Sequence, residues 1–218
     1  MFMNTNFARQ QMVDQQVRTW EVLDARVLDV LASVPREIFV PTAYRDLAFA
    51  DAPIPIGHGQ SMLAPKIHGR ILQILNVAAT DKVLEIGTGT GYLTACLALL
   101  GAQTTSIEIH AALSAAAATN IQAVTGCRAQ LQVRDAFGAE PLGEYDAIAV
   151  TGSLPVDDRR FEKALRIGGR LFEVVGCAPL MEARIVRRVE ADQWIRESVF
   201  ETVIDPLLHA PQAQRFVF

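Results

Sequence analysis

The chain has 218 residues, half of them hydrophobic and one-fifth charged, which fits one folded α/β domain over 1–218 rather than a disordered chain. A net charge of −4 argues against nucleic acid as a partner, and the short arginine clusters Arg159–Arg160 and Arg184/Arg187/Arg188 read as solvated faces. No apolar run reaches transmembrane length and the opening MFMNTNFARQQ carries no signal-peptide core, so a cytoplasmic protein without membrane attachment is expected. Cys96, Cys127 and Cys177 lie far apart in apolar stretches and are expected to be reduced and buried. The histidines His58, His68, His110 and His209 show no ligand spacing, so no metal is expected.

The first fifty residues have helical periodicity: Met12, Val13 and Val17, then Val22, Leu23, Val27, Leu28, Val30 and Leu31. Asp24 is a natural N-cap for the second helix, and Pro35 lies just past its end. The proline-rich stretch from 34 to 65 reads as a long irregular loop, and a loop of that kind in a compact domain is usually functional. Residues 1–65 thus form an N-terminal helical and loop portion, and 66–218 a sheet portion. A helix follows Pro65, with Ile67, Ile71, Leu72, Ile74 and Leu75 on one face.

Alternating units come next: strand 82–86, helix 92–100, strand 104–109, helix 110–124, strand 129–135, strand 147–151, helix 157–165 and strand 170–175. The segments ARIVRRVE and WIRESVFETV alternate without a helix between them and predict an antiparallel hairpin. The predicted fold is a Rossmann-like α/β domain: a mostly parallel sheet with helices on both faces and an antiparallel C-terminal part.

The strongest local signal is VLEIGTGTGYLTACLALL, a buried strand running into Gly87, Gly89 and Gly91 and directly into a helix. The spacing is G-x-G-x-G, and Tyr92 stands where a dinucleotide fingerprint requires its third glycine. Glu85, two residues before the first glycine, would repel a pyrophosphate but suits a cationic amino-acid group. Glu108 ends the next strand, where ribose hydroxyls are held, and Asp135 ends the third, within reach of an adenine amino group. Three carboxylates at successive strand ends favour S-adenosylmethionine over a nucleotide, with Thr88 and Ala136 completing the cofactor set. Phe137 suits either an adenine stack or the core.

The segments VPREIFVP (34–41), AYRDLAFADAPIPIGHGQ (43–60), VLEIGTGTGYLTA (83–95), SIE (106–108), DAIAVTGS (146–153) and GGRLFEVVG (168–176) resemble the protein-L-isoaspartate (D-aspartate) O-methyltransferases. The resemblance implies a Rossmann-like methyltransferase sheet and S-adenosylmethionine, converted to S-adenosyl-L-homocysteine. It also implies methyl transfer to an isoaspartyl carboxylate in damaged proteins, after which the ester cyclises to a succinimide that can reopen to aspartate.

The family's acceptor loop usually reads G-Q-T-I-S-Q-P, and this chain has Gly59-Gln60-Ser61-Met62-Leu63-Ala64-Pro65. Ser61 keeps the threonine's hydroxyl and is the catalytic candidate, while Leu63 falls on the family's serine and Ala64 on its glutamine. Ile56, His58, Gln60, Leu63 and Thr151 are the acceptor-side candidates; Thr151 and Ser153 suit either an acceptor contact or a turn cap. Methylating a carboxylate needs no strong base, because the nucleophile is already ionised at neutral pH. Alignment does the work, so one lost positioning hydroxyl costs rate without abolishing it. The segment TGSLP lacks the N/D-P-P-Y/F/W pattern of enzymes that methylate exocyclic amines. The expected partner is an isoaspartyl peptide or protein, or a small-molecule carboxylate, with the chain monomeric or dimeric. Two alternatives remain: a methyltransferase on this scaffold with another acceptor, and a non-catalytic protein that binds the cofactor.

Overall fold

The computed structural model describes residues 5–101, 103–126 and 129–212. Helix α1 (Thr5–Met12) continues through a wider turn at Val13–Val17 and a tight turn at Arg18–Trp20, and α2 spans Ala25–Ser33. The Asp24 side chain accepts the Arg26 N–H at 2.9 Å, which satisfies one orphan donor of α2. The stretch read as an irregular loop contains a small hairpin instead, β1 (Ile54–Gly57) and β2 (Gln60–Met62). Its turn needs three successive residues in the left-handed region, Gly57 at φ 94°, His58 at 55° and Gly59 at 70°. A turn built this way leaves no strand pattern long enough to read from sequence.

Helix α3 (Pro65–Leu75) starts with proline at its first turn, where no backbone donor is needed. Then follow β3 (Lys82–Ile86), α4 (Tyr92–Leu99), β4 (Gln103–Glu108), α5 (Ala111–Thr125), β5 (Gln130–Val133), β6 (Tyr145–Leu154), α6 (Arg159–Lys163), β7 (Leu165–Cys177), β8 (Leu180–Glu190) and β9 (Gln193–Glu201). These strands form one sheet in the order β5-β4-β3-β6-β7-β8-β9. The first five of that order are parallel, and β7, β8 and β9 form an antiparallel meander.

Successive residues of the central strands face opposite layers. Val83, Ala147, Ala149 and Phe172 join the core beneath α2–α5, whereas Leu84, Ile148, Val150 and Leu171 join a second core closed by α6. Leu142 and Ala210 close that second layer from segments outside any helix. Helix α4 is buried from Tyr92 to Leu97, which explains why it is apolar on every side. Because β4 and β6 lie on either side of β3, the chain reverses its direction of travel across the sheet at β3, and a crevice opens at the strands' carboxyl ends.

Two expectations need correction. Cys96 is buried, but Cys177 at the end of β7 is exposed; Cys127 lies outside the described residues. The arginine clusters are solvated faces only in part: Arg159 and Arg187 are exposed, the latter pairing with Glu197 at the surface, whereas Arg184 pairs with Asp157 and Glu182 and Arg188 donates to the Leu165 carbonyl. Arg160 reaches the carbonyls of Ala136 and Gly138 and so braces the turn after β5. Among the described residues no helix is long and apolar enough to cross a membrane.

Candidate active site

The glycine loop leaves β3 at Gly87 and enters α4 at Gly91. A Cβ at Gly87 would lie 2.5 Å from the Thr151 Oγ1, at a φ of 95° that side chains avoid. At Gly91 a Cβ would press on Ala117 and Ile121 at 3.0 Å, so this glycine serves the close approach of α4 and α5. Thr151 explains the first constraint. Its hydroxyl sits 2.9 Å from both the Ile86 and the Gly87 carbonyls, which ties β6 to the start of the loop. The Thr151 hydroxyl therefore braces the glycine loop, while the residue also lines the cleft above it.

A cleft of about 630 Å³ opens over this loop, with Ile56, Gln60, Ser61, Gly87, Gly89, Glu108, Asp135, Ala136 and Thr151 among its lining. Sequence candidates separated by 95 positions thus meet around one cavity. The Glu108 carboxylate accepts N–H bonds from Gly89 and His110, each at 2.9 Å, and so fixes both loops that frame the cleft. The Asp135 carboxylate accepts from the Phe137 N–H at 2.8 Å and pairs with His209 at 2.7 Å. Burial alone would raise the Asp135 pKa, but the bonds from His209 and Phe137 outweigh it and hold the carboxyl below its usual range. Phe137 lines the cleft while packing edge-on against Phe161 at 5.7 Å, with Arg160 over its ring.

Glu85 differs from the other two acids. It is buried under the loop, where its carboxylate accepts from the hydroxyls of Thr94 and Ser106, and Ser106 in turn meets Thr88 at 2.6 Å. Burial raises its pKa to about 7 despite those two hydroxyls, and the Glu108 charge adds to the rise. Glu85, Thr88, Thr90, Tyr92 and His68 line a smaller inner pocket of about 330 Å³ rather than the main cleft. Ser61 and Thr151 border both cavities, so they stand at the junction.

Leu63 also lines the inner pocket, at 8% exposure, and its carbonyl accepts from Arg36 at 2.7 Å. Arg36 is fully buried with no carboxylate partner among the described residues. It donates to the Ala48 carbonyl at 2.8 Å, contacts the His68 Nδ1 at 3.3 Å and stacks over the Tyr92 ring at 4.9 Å. The same Nδ1 also lies 3.2 Å from the Ala64 carbonyl, so the His68 ring is held between a guanidinium donor and a carbonyl acceptor. Burial and the adjacent Arg36 charge hold the His68 pKa well below its ordinary value, which keeps the ring neutral. His58 takes part differently: it is exposed at the tip of the hairpin and stacks on His110 with centroids 4.0 Å apart.

Two parts of the site were not anticipated from sequence. Arg36 and His68 lie beneath the acceptor loop, and residues 205–210 form a strap along the cleft. The strap is held by Ser153 N–H to Asp205 O at 2.9 Å and Leu207 N–H to Ser153 O at 3.0 Å, which puts Leu207 and Leu208 in the cleft wall. VIDPLLHA carries no periodicity that would announce such a role.

An open α/β sheet, a glycine loop closing a crevice without a phosphate cradle, and carboxylates at three strand ends define a methyltransferase that uses S-adenosylmethionine. The family model for protein-L-isoaspartate (D-aspartate) O-methyltransferase matches residues 7–208, and the chain belongs to that family. A protein-L-isoaspartate O-methyltransferase of Koribacter versatilis is 37% identical, with 94% of this chain and 93% of that protein covered. One from Aeropyrum pernix is 34% identical, covering 92% of this chain and 79% of its own. A solved Plasmodium falciparum structure, described as a protein of this type in complex with S-adenosyl-L-homocysteine, shares the fold. It has a TM-score of 0.79 and 18% identity, covering 91% of this chain and 97% of its own.

Proposed function

We propose that this chain methylates the free α-carboxylate of L-isoaspartyl residues in damaged proteins, with Ser61 at the point of transfer. The observation that carries this reading is the junction at Ser61, where the cleft bearing Glu108 and Asp135 meets the pocket bearing Glu85. The donor set suits the cofactor's groups. Asp135, with Ala136 and Phe137, would take the adenine end, Glu108 the ribose hydroxyls, and Glu85 the ammonium of the amino-acid end. Bound S-adenosylmethionine supplies an electrophilic methyl carbon.

The chain's own residues then have an alignment task. The Ser61 hydroxyl donates to the acceptor carboxylate and orients the attacking oxygen, while Ile56, Met62 and Leu63 keep water from it. Gln60 and His58 border the entrance from the hairpin. Thr151 acts at one remove by holding the carbonyls of Ile86 and Gly87. No general base is needed, since the acceptor carboxylate is ionised at neutral pH. Loss of the family's serine hydroxyl at Leu63 removes one positioning hydrogen bond, about 1–3 kcal/mol, which leaves transfer slower but intact.

Titration calorimetry with S-adenosyl-L-homocysteine tests the cofactor half. Glu108→Gln and Asp135→Asn should each weaken binding about tenfold or more, in line with about 1.5–3 kcal/mol for a hydrogen bond to a charged group. Unchanged affinity in both would remove the assignment of this cleft.

A further inference from the structure

On its outer side the acceptor loop borders a second concavity. An open groove of about 1190 Å³ runs between the start of α3 and residues 202–206, and Ser61 and Leu63 line it as well as the inner pocket. Ser61 is therefore common to the cofactor cleft, the inner pocket and this groove. The groove's walls are apolar: Trp20, Leu63, Ile67, Met181, Val203 and Ile204. Val203 is 56% exposed there, an apolar side chain facing solvent beside the site.

The charges in the groove are unevenly available. Lys66 is already engaged, with Nζ 2.7 Å from Asp51 and 4.3 Å above the Trp20 ring. Asp205 has no ion-pair partner among the described residues, so the unbalanced charge beside the loop is negative. A carboxylate entering the groove would meet Asp205 and find Lys66, the one cation among the described lining residues, committed, whereas an apolar side chain would meet aliphatic and indole surface.

We propose that this groove seats the residue next to the isoaspartyl residue in the acceptor polypeptide and selects a large apolar, non-acidic side chain there. The inference rests on the isoaspartyl reading given above. An acceptor whose carboxylate reaches Ser61 is covered by the cofactor cleft on one side, so its chain must leave across the groove. Ordinary residues of an extended chain advance about 3.3–3.6 Å each and the β-linkage of the isoaspartyl residue adds one methylene, which brings the adjacent side chain to the groove beside Ser61. Leu63 takes part directly, because the residue that replaces the family's hydroxyl is the one that forms the groove's inner wall.

The test is a ladder of isoaspartyl hexapeptides with Phe, Leu, Ala, Lys or Glu on either side of the isoaspartyl residue, assayed by methanol released from the ester. Leu and Phe peptides should exceed the Ala peptide about fifteen- to sixtyfold in kcat/KM, chiefly through KM, as burial of two or three methylenes implies. The Glu peptide should be the poorest. Val203→Glu changes an exposed position and should erase the preference for Leu and Phe while leaving turnover of the Ala peptide in place. Equal kcat/KM across the ladder, or a Val203→Glu protein with the preference intact, would overturn the groove assignment alone. If no isoaspartyl peptide is methylated while the cofactor product still binds, the acceptor reading falls and this inference falls with it.

Discussion

Arg36→Lys tests the architecture beneath the acceptor loop most sharply, because ordinary chemical conservatism predicts little effect. Arg36 is fully buried, and its fork serves the Ala48 carbonyl at 2.8 Å and the Leu63 carbonyl at 2.7 Å. It also contacts the Nδ1 of His68 and stacks on Tyr92. A lysine is a point donor without a planar face, so it can keep one of these carbonyls and loses the stack. Leaving a buried carbonyl unpaired costs about 1–3 kcal/mol, and a lost cation–π contact adds about 0.5–2 kcal/mol. The expected loss is therefore roughly 2–4 kcal/mol, or a Tm lowered by of order 10 °C for a chain of this size. Arg36→Met should be no worse than Arg36→Lys, because it also removes a buried charge that has no counterion. Urea unfolding of the three proteins, with acceptor KM measured alongside, reads both effects; KM should rise as the Leu63 carbonyl is released. An Arg36→Lys protein within about 0.5 kcal/mol of the parent would refute the clamp, since that is the scatter of neutral surface substitutions.

Three further outcomes follow from the same geometry. Glu85 has a pKa of about 7, and only its ionised form opposes the cofactor's ammonium, so affinity should rise up to about tenfold from pH 6 to pH 8; calorimetry on Glu85→Gln should show a weaker, flat profile. Buried Glu173 on β7 also has its pKa raised from 4.5 to about 7, by burial first and by Glu162 and Asp157 second. Its contribution to stability is fully present below pH 4.5 and lost as pH rises through about 7, so Glu173→Gln should flatten the urea midpoint over that interval. Leu63→Ser should raise kcat/KM on isoaspartyl peptide by about tenfold, the worth of one restored hydrogen bond, while losing about 2–4 kcal/mol of stability through the cavity left by a buried leucine. Gain without loss, or loss without gain, would mean that residue 63 does not stand between core and acceptor.

The parts of the site that sequence revealed are those whose chemistry is local. Gly87, Gly89 and Gly91 follow a strand and start a helix, and Glu85, Glu108 and Asp135 each end a strand, so their spacing alone brings them to one edge of a parallel sheet. Glu85 shows the limit of that logic: strand alternation turns it beneath the loop toward Thr94, a detail of the pleat and of helix packing. Arg36 and the strap at 205–210 were hidden because both act through partners far along the chain, Leu63 27 positions away for one. Neither has a periodicity that betrays it. The hairpin at 54–62 was hidden by its own turn, whose left-handed run at Gly57, His58 and Gly59 looks in sequence like loop composition. Thr151 was placed in the right region, but only the structure shows that its hydroxyl faces the glycine loop.

The most direct measurement is methyl transfer by the purified chain to a matched pair of peptides, one with L-isoaspartate and one with L-aspartate at the same position. The ester is quantified as methanol released by mild base. The account predicts time-dependent, base-labile methylation of the isoaspartyl peptide and none of the aspartyl peptide, with Ser61→Ala lowering the rate by about ten- to a hundredfold, as expected for one hydrogen bond to a charged oxygen. Equal methylation of the two peptides, or none of either by a protein that still binds S-adenosyl-L-homocysteine, would contradict it.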